Sequence, residues 1–300
     1  MRYQTRLRLW GYAFLLPSVL LFAAVVAYPL LNLFRLSTFE SGLFTGTRFV
    51  GIDNYVKMLE QPQFYQSLKV TLIWTLGVVP LTLVLGLLVA LLLNQGAARF
   101  TGFFRVVYFI PVVTNMVAAS FVWKWLFEPT NGVVNYFAAS LHLAQPGWLA
   151  DPKYALSAMM VVGIWKQLGF AMVLFLAGLQ GLPREVLDAA RIDGASSSQA
   201  FWFVKLPLLN ATLIFVLVLL TVNAFRVFTI PYVMSAGGLT YGTPGGPLDS
   251  TRVFAIHIYD LGFKAHQMGA ASAAAVALLL LTMLLTLLQF RLVGRPGSAE

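Results

Sequence analysis

Cysteine is absent from all 300 residues. That excludes disulfides, cysteine-ligated zinc and thiol nucleophiles. Charge is scarce too: Asp, Glu, Lys and Arg make up 10% of the chain, against about 25% in a typical soluble domain. The 11 acidic residues avoid the middle of every long apolar run. Proton- or sodium-coupled transporters tend to keep carboxylates there. No Gly-Lys dipeptide occurs, so the G-x-x-x-x-G-K-[ST] loop that cradles nucleotide phosphates cannot form. His142, His257 and His266 are scattered, and no H-E-x-x-H, carboxylate pair or nucleophile triad is seen. Neither a metal site, a cofactor nor an enzyme activity is expected.

What is abundant is apolar. The chain is 59% hydrophobic, with a mean hydropathy of +0.80; a soluble domain is about 45–50% apolar. A bilayer core of about 30 Å is crossed by about 20 apolar residues in a helix. Six stretches qualify: residues 10–34, 68–93, 106–127, 155–179, 208–233 and 269–292. Residues 81–93 and 270–288 carry almost no polar face, unlike helices of soluble domains. The first run is longer than a signal-peptide core and no A-x-A site follows it. It reads as an uncleaved span. The expected fold class is all-α, a polytopic membrane protein with six transmembrane helices.

The formal charge is +9. No basic stripe interleaved with aromatics appears, so nucleic acid is not an expected partner. The basic residues lie mostly between apolar blocks, as topology signals do. One set of loops holds Arg2, Arg6, Arg8, Arg99, Arg105, Arg184, Arg191, Lys205, Arg291 and Arg295. The other holds Arg35, Arg48, Lys57, Lys69, Lys153, Arg252 and Lys264. The first set is denser, which places both termini in the cytoplasm. The outer segments are long, and residues 235–247 are nearly all turn formers. No repeat of 20–50 residues is visible.

One polar cytoplasmic loop stands out, residues 180–207. Pro183 suits a first helical turn, Glu185 suits the positive end of the helix dipole, and Gly194 suits a left-handed C′ position. Val186, Leu187, Ala190 and Ile192 can share one broad side, with Arg184, Asp188 and Arg191 facing elsewhere. A helix this short is unstable alone in water. Either it lies on the bilayer surface or a partner holds it.

The string Glu185-x-x-Asp188-Ala189-Ala190-x-x-Asp193-Gly194-Ala195, followed by Val204-Lys205-Leu206-Pro207, resembles the EAA loop of binding-protein-dependent ABC importer permeases. That pattern is E-A-A-x-x-x-G, then I-x-L-P. Asp188 stands where Glu is usual, and Val204 where Ile is usual. Phe49-Val50-Gly51-Ile52-Asp53-Asn54-Tyr55, Arg105-Val106-Val107-Tyr108-Phe109-Ile110-Pro111, Trp123-Lys124-Trp125-Leu126-Phe127, Asn131-Gly132-Val133-Val134-Asn135 and Phe225-Arg226-Val227-Phe228 are similar to the carbohydrate-uptake branch of that family. The likeness spans nearly the whole chain.

The resemblance implies a type I ABC importer permease fold, with residues 1–300 as a single transmembrane domain in the cytoplasmic (inner) membrane of a prokaryote. It implies that residues 180–207 form a coupling loop whose helix docks on an ATPase. Asp193 and Gly194 would shape that helix, and Glu185, Asp188 and Arg191 would make polar contacts. Ala189, Ala190, Ala195 and Pro207 complete the motif. The implied partners are a second, unlike permease subunit, two ATPase subunits, an extracytoplasmic binding protein and a carbohydrate cargo.

Polar groups inside spans tend to face an interior. Candidates for the substrate path are Asn115, Lys124, Gln167, Asn223 and Arg226, with Trp165 as a stacking surface. Lys124, near a span end, also fits snorkelling to the interface. Lys166 fits a bond to a neighbouring helix. Gln167, Asn223 and Arg226 lie nearest the expected midplane. Two other readings stay open: the same machinery carrying glycerol phosphate or a polyol derivative, which Arg226 allows, and a secondary transporter or channel.

Overall fold

The computed structural model describes residues 2–42, 46–94, 101–235 and 244–293. Its helices in chain order are α1 (Arg2–Phe22), α2 (Tyr28–Ser37), α3 (Asp53–Glu60), α4 (Pro62–Asn94), α5 (Thr101–Val113), α6 (Met116–Leu126), α7 (Val133–Ser140), α8 (Pro152–Gln180), α9 (Arg184–Ile192), α10 (Ser197–Gln199), α11 (Leu206–Leu208), α12 (Asn210–Phe225), α13 (Thr229–Ser235), α14 (Phe254–Tyr259) and α15 (Met268–Val293). Wider π turns join α1 to α2 at Ala23–Ala27 and α10 to α11 at Ala200–Lys205. The fold is helical, as expected, with one small addition: β1 (Phe39–Gly42) and β2 (Gly46–Phe49) pair as an antiparallel hairpin. Of the expected outer loop 235–247, residues 236–243 lie outside the described residues, as do Arg99 and Arg295.

Among the described residues, five helical stretches are long and apolar enough to cross a membrane: Trp10–Ser37, Pro62–Asn94, Pro152–Gln180, Asn210–Ser235 and Met268–Arg291. The expected third span is two helices that meet at 100°. The reason is local. Pro111 removes a backbone donor from α5. Asn115 is extended, with φ −62° and ψ 128°, and its side chain accepts from the N–H groups of Val117 and Ala118 to start α6 afresh. The bent pair makes a sixth crossing if it is one span.

Contacts divide the chain into two compact units, residues 1–62 with 258–279 and residues 63–257 with 280–300. In the first, the Asn54 amide donates to the carbonyls of Ser37 at 2.9 Å and Phe39 at 3.0 Å. The Tyr55 hydroxyl donates to Ser37 Oγ at 2.7 Å. These bonds tie α3 to the end of α2 and the start of the hairpin. Gly269 lets α15 begin against them, since a Cβ there would sit 1.9 Å from the Phe39 carbonyl oxygen.

In the second unit, α8 packs against α5, α12 and α13, and α6 packs against α13. Trp74, Met159, Val162, Met172, Phe175 and Leu220 are buried together. Lipid tails are as apolar as leucine, so helices in a bilayer associate mainly by close fit. Glycine supplies that fit here. A Cβ on Gly86 would meet Ala171 at 2.7 Å, and one on Gly163 would meet Trp74 at 2.8 Å. The tightest approach is Gly169, where a Cβ would fall 1.9 Å from the Tyr108 carbonyl oxygen. Gly169→Ala is therefore expected to push α5 off α8 and destabilise the protein by about 1–3 kcal/mol, read as a lower thermal unfolding midpoint in detergent. Gly102→Ala, on α5 with nothing within 4 Å of the new methyl, is the control expected to leave that midpoint unchanged.

Candidate functional site

A cavity of about 500 Å³ opens within the second unit, inside the range of about 300–1,000 Å³ usual for ligand sites. Each wall comes from a different helix. α4 contributes Trp74, α8 contributes Lys166 and Gln167, and α12 contributes Asn223, with Arg226 just beyond its end. Asn223 and Arg226 are exposed, whereas Trp74 is 1% exposed. Gln167, expected near the midplane and 56 residues before Asn223, thus shares one cavity with Asn223 and Arg226.

Both helix breaks occur at this cavity. Val112 and Met116, on either side of the α5–α6 break, line it. Arg226 and Val227, in the non-helical step from α12 to α13, line it as well. Unwound backbone at membrane depth is tolerated only where protein or a water-filled cavity answers its polar groups. Lys166 supplies that answer at the first break. Its ammonium donates to the carbonyls of Pro111 at 2.6 Å and Thr114 at 2.5 Å. The Thr114 hydroxyl donates to Pro111 at 2.7 Å. Lys166 therefore makes the bond to a neighbouring helix that its sequence position suggested.

Three other candidates stand apart from the cavity lining, among them Lys124, which is 8% exposed in the last turn of α6. Asn115 spends its side-chain oxygen on the α6 N-terminus. Trp165 lies edge-on to Trp123, ring centres 5.5 Å apart. Sequence reasoning missed Trp74, which looks like one more apolar residue in the second span. Its indole N–H is buried without a hydrogen-bond partner, and so is Gln167 Oε1. A lone donor and a lone acceptor on residues that line one cavity each suit a hydroxyl, which can accept or donate.

The coupling candidates form a second site. α9 begins after Pro183, whose extended backbone makes it the N-cap. Its end is a Schellman turn: Gly194 takes φ +78°, Gly194 N–H donates to the Arg191 carbonyl, and Ala195 N–H donates to the Ala190 carbonyl. Asp193 is the C-cap residue. Asp188 and Arg191 pair at 2.9 Å on the exposed surface. None of the nine residues is buried. Leu187 and Ala190 are half-covered, while Glu185, Val186, Ala189 and Ile192 are exposed; the expected shared apolar side is thus split. Ser196 and Gln199 cap each other at the start of α10. Pro207 sits in α11, which continues the helical backbone of the π turn Ala200–Lys205.

The family described as "Binding-protein-dependent transport system inner membrane component" matches residues 82–296, which include the coupling candidates and all of the cavity lining except Trp74. The chain belongs to that family. It is an inner-membrane transport component rather than an enzyme. The permease is 35% identical over 284 residues to a Bacillus subtilis (strain 168) protein named "Probable ABC transporter permease protein YesP", covering 94% of this chain and 89% of that one. It is 32% identical over 286 residues to the lactose transport system permease protein LacF of Rhizobium radiobacter, covering 93% and 92%. Its fold matches a chain of a bacterial ABC transporter that imports the acidic polysaccharide alginate, with a TM-score of 0.84 over 99% of this chain and 100% of that chain at 20% identity.

Lys166→Met keeps the aliphatic stem of the permease's lysine but removes its donors. The freed carbonyls at the α5–α6 break would lose a charged partner, a loss of about 1–3 kcal/mol. A lower unfolding midpoint in detergent is the expected result, and an unchanged midpoint would show that the lysine does not hold the break.

Proposed function

We propose that this permease passes a carbohydrate through the cavity at Gln167, Asn223 and Arg226, after an extracytoplasmic binding protein delivers it. Two ATPase subunits on separate chains supply the energy, and a second, unlike permease subunit forms the rest of the path. The whole chain, residues 1–300, acts as one transmembrane domain with both termini in the cytoplasm, and residues 180–207 are its coupling loop.

The observation that carries this reading is α9, an uncovered helix with its own start and stop in a chain that lacks a nucleotide-binding loop. A helix of this length needs something to rest on. Its charge argues against lipid. Arg184 and Arg191 are outnumbered by Glu185, Asp188 and Asp193, whereas helices that lie on membranes are rich in Lys and Arg. An exposed, mixed-charge helix with apolar Val186 and Ile192 fits a groove on a protein partner.

Connectivity supplies the transmission. α8 carries Gln167 and ends at Gln180, about 20 Å further along at 1.5 Å per residue. α12 carries Asn223 and starts at Asn210, after the loop. A pull on α9 therefore acts on two helices that each contribute a wall of the cavity.

Nothing lies within 4 Å of a Cβ built on Gly194, so substitution there strains only the left-handed backbone. Gly194→Val is expected to cost about 1–2 kcal/mol locally, enough to reduce the docked population roughly ten-fold. Gly194→Asn, which tolerates that conformation, should behave nearly as the parent. The measurement is uptake alongside ATP hydrolysis in vesicles holding the complete importer. Valine should sever hydrolysis from uptake while membrane insertion is normal; normal uptake by the valine variant would contradict the docking role.

A further inference from the structure

We propose that the cavity is built for an anionic carbohydrate, with the acid group held by Arg226 and the sugar hydroxyls by Trp74, Gln167 and Asn223. This deepens, and rests on, the importer reading above.

Three observations converge. First, the charge in the cavity is of one sign. Lys166 and Arg226 line it and no Asp or Glu does. No acidic residue lies within α4, α5, α6, α8, α12 or α13. Second, the two cations differ in what they have to do. The Lys166 ammonium is committed to the carbonyls at the α5–α6 break. Arg226 is exposed and lies beyond α12, and among the described residues none of the ion pairs includes it. An ionisable group at membrane depth normally finds a counter-charge, and an arginine fork matches a carboxylate, sulfonate or phosphate ester with two parallel hydrogen bonds. Third, the remaining polar atoms ask for hydroxyls. Trp74 Nε1 and Gln167 Oε1 are buried and unpartnered, and Trp74 is 99% buried, being 1% exposed. Each is a group that a sugar hydroxyl can answer, by accepting from the indole or donating to the amide oxygen. The Asn223 amide offers a further donor and acceptor at the exposed side.

A neutral sugar would leave Arg226 without its counter-charge and gain nothing from the positive potential of the walls. A free inorganic anion would leave Trp74 and Gln167 unanswered. An acid-bearing sugar answers all four side chains.

The complete importer, reconstituted in proteoliposomes with its ATPase and binding protein, tests this. An equimolar pool of neutral, uronate, sulfonated and phosphorylated mono- and disaccharides is supplied outside, on the face that meets the binding protein, with ATP enclosed in the lumen where the ATPase lies, and the lumen is read by mass spectrometry. Acid-bearing sugars are expected to accumulate at least about ten-fold over neutral ones. The sulfonate, carboxylate and phosphate arms say which acid is preferred. Arg226→Gln should lower that accumulation about ten-fold, and Arg226→Lys should retain much of it, both with unchanged unfolding midpoints. Accumulation of neutral sugars at equal rates overturns the proposal while leaving the importer reading intact. So does acid-sugar uptake that ignores Arg226→Gln, or an Arg226→Gln variant whose complex falls apart, since that would place the counter-charge on the second permease. Failure to accumulate any sugar with ATP overturns this proposal and the importer reading together.

Discussion

A polar group freed inside a bilayer has no water to turn to, and the cavity of this permease depends on how one such group is answered. The chain stops a helix twice at membrane depth, after Val113 and after Phe225. At the first stop, the Lys166 ammonium takes the place of the backbone donors that the break removed. Because Lys166 is on α8 and the break is in the α5–α6 pair, the same contact fixes the position of a wall. Gly169, one turn further along α8, brings the two helices together by leaving room for the Tyr108 carbonyl. The cavity is thus a consequence of backbone accounting: two helices end early, and the space beside their ends is lined by the groups that make the ends tolerable.

The second site is held by equally local means. α9 owes its length to Pro183 at one end and Gly194 at the other. Its loop joins the two helices that carry Gln167 and Asn223. Cavity and α9 are therefore linked by covalent connectivity and by stiff helices. No long chain of side-chain contacts is required. This arrangement suits a subunit that has no nucleotide site and takes its movement from another chain.

Much of this was legible in the sequence, because each feature is set by short-range chemistry. Five of the six apolar runs fall in helices long and apolar enough to cross a membrane, and Gly194 is left-handed where a helix stop was expected. Gln167, Asn223 and Arg226 could be picked out because polar side chains at membrane depth are few. What was not legible arises from three-dimensional placement. The third run is long enough for one straight span despite Thr114, Asn115, Ser120 and Lys124, so its 100° bend was hidden, although Pro111 and Asn115 are the residues that make it. Asn115 looked like a path residue for the same reason that makes it a cap: a short amide in an apolar stretch. Trp74 could not be distinguished from ordinary apolar residues until its N–H was found without a partner at the cavity. The β1–β2 hairpin, four residues a strand, is too short to show a period.

The central claim is that the space beside the helix breaks is a water-filled path that opens and closes with the nucleotide state. The chain has no native cysteine, so single cysteines report without interference. The most direct measurement is the rate at which a charged maleimide labels Asn223→Cys in vesicles holding the complete importer, with and without ATP and vanadate. Phe215→Cys, which is on the same helix, 54% exposed in this chain and outside the cavity lining, serves as the comparison. The account predicts that the cysteine at 223 reacts, that trapping the ATPase changes its rate, and that the cysteine at 215 stays inert. Equal and nucleotide-independent labelling at the two positions would contradict it.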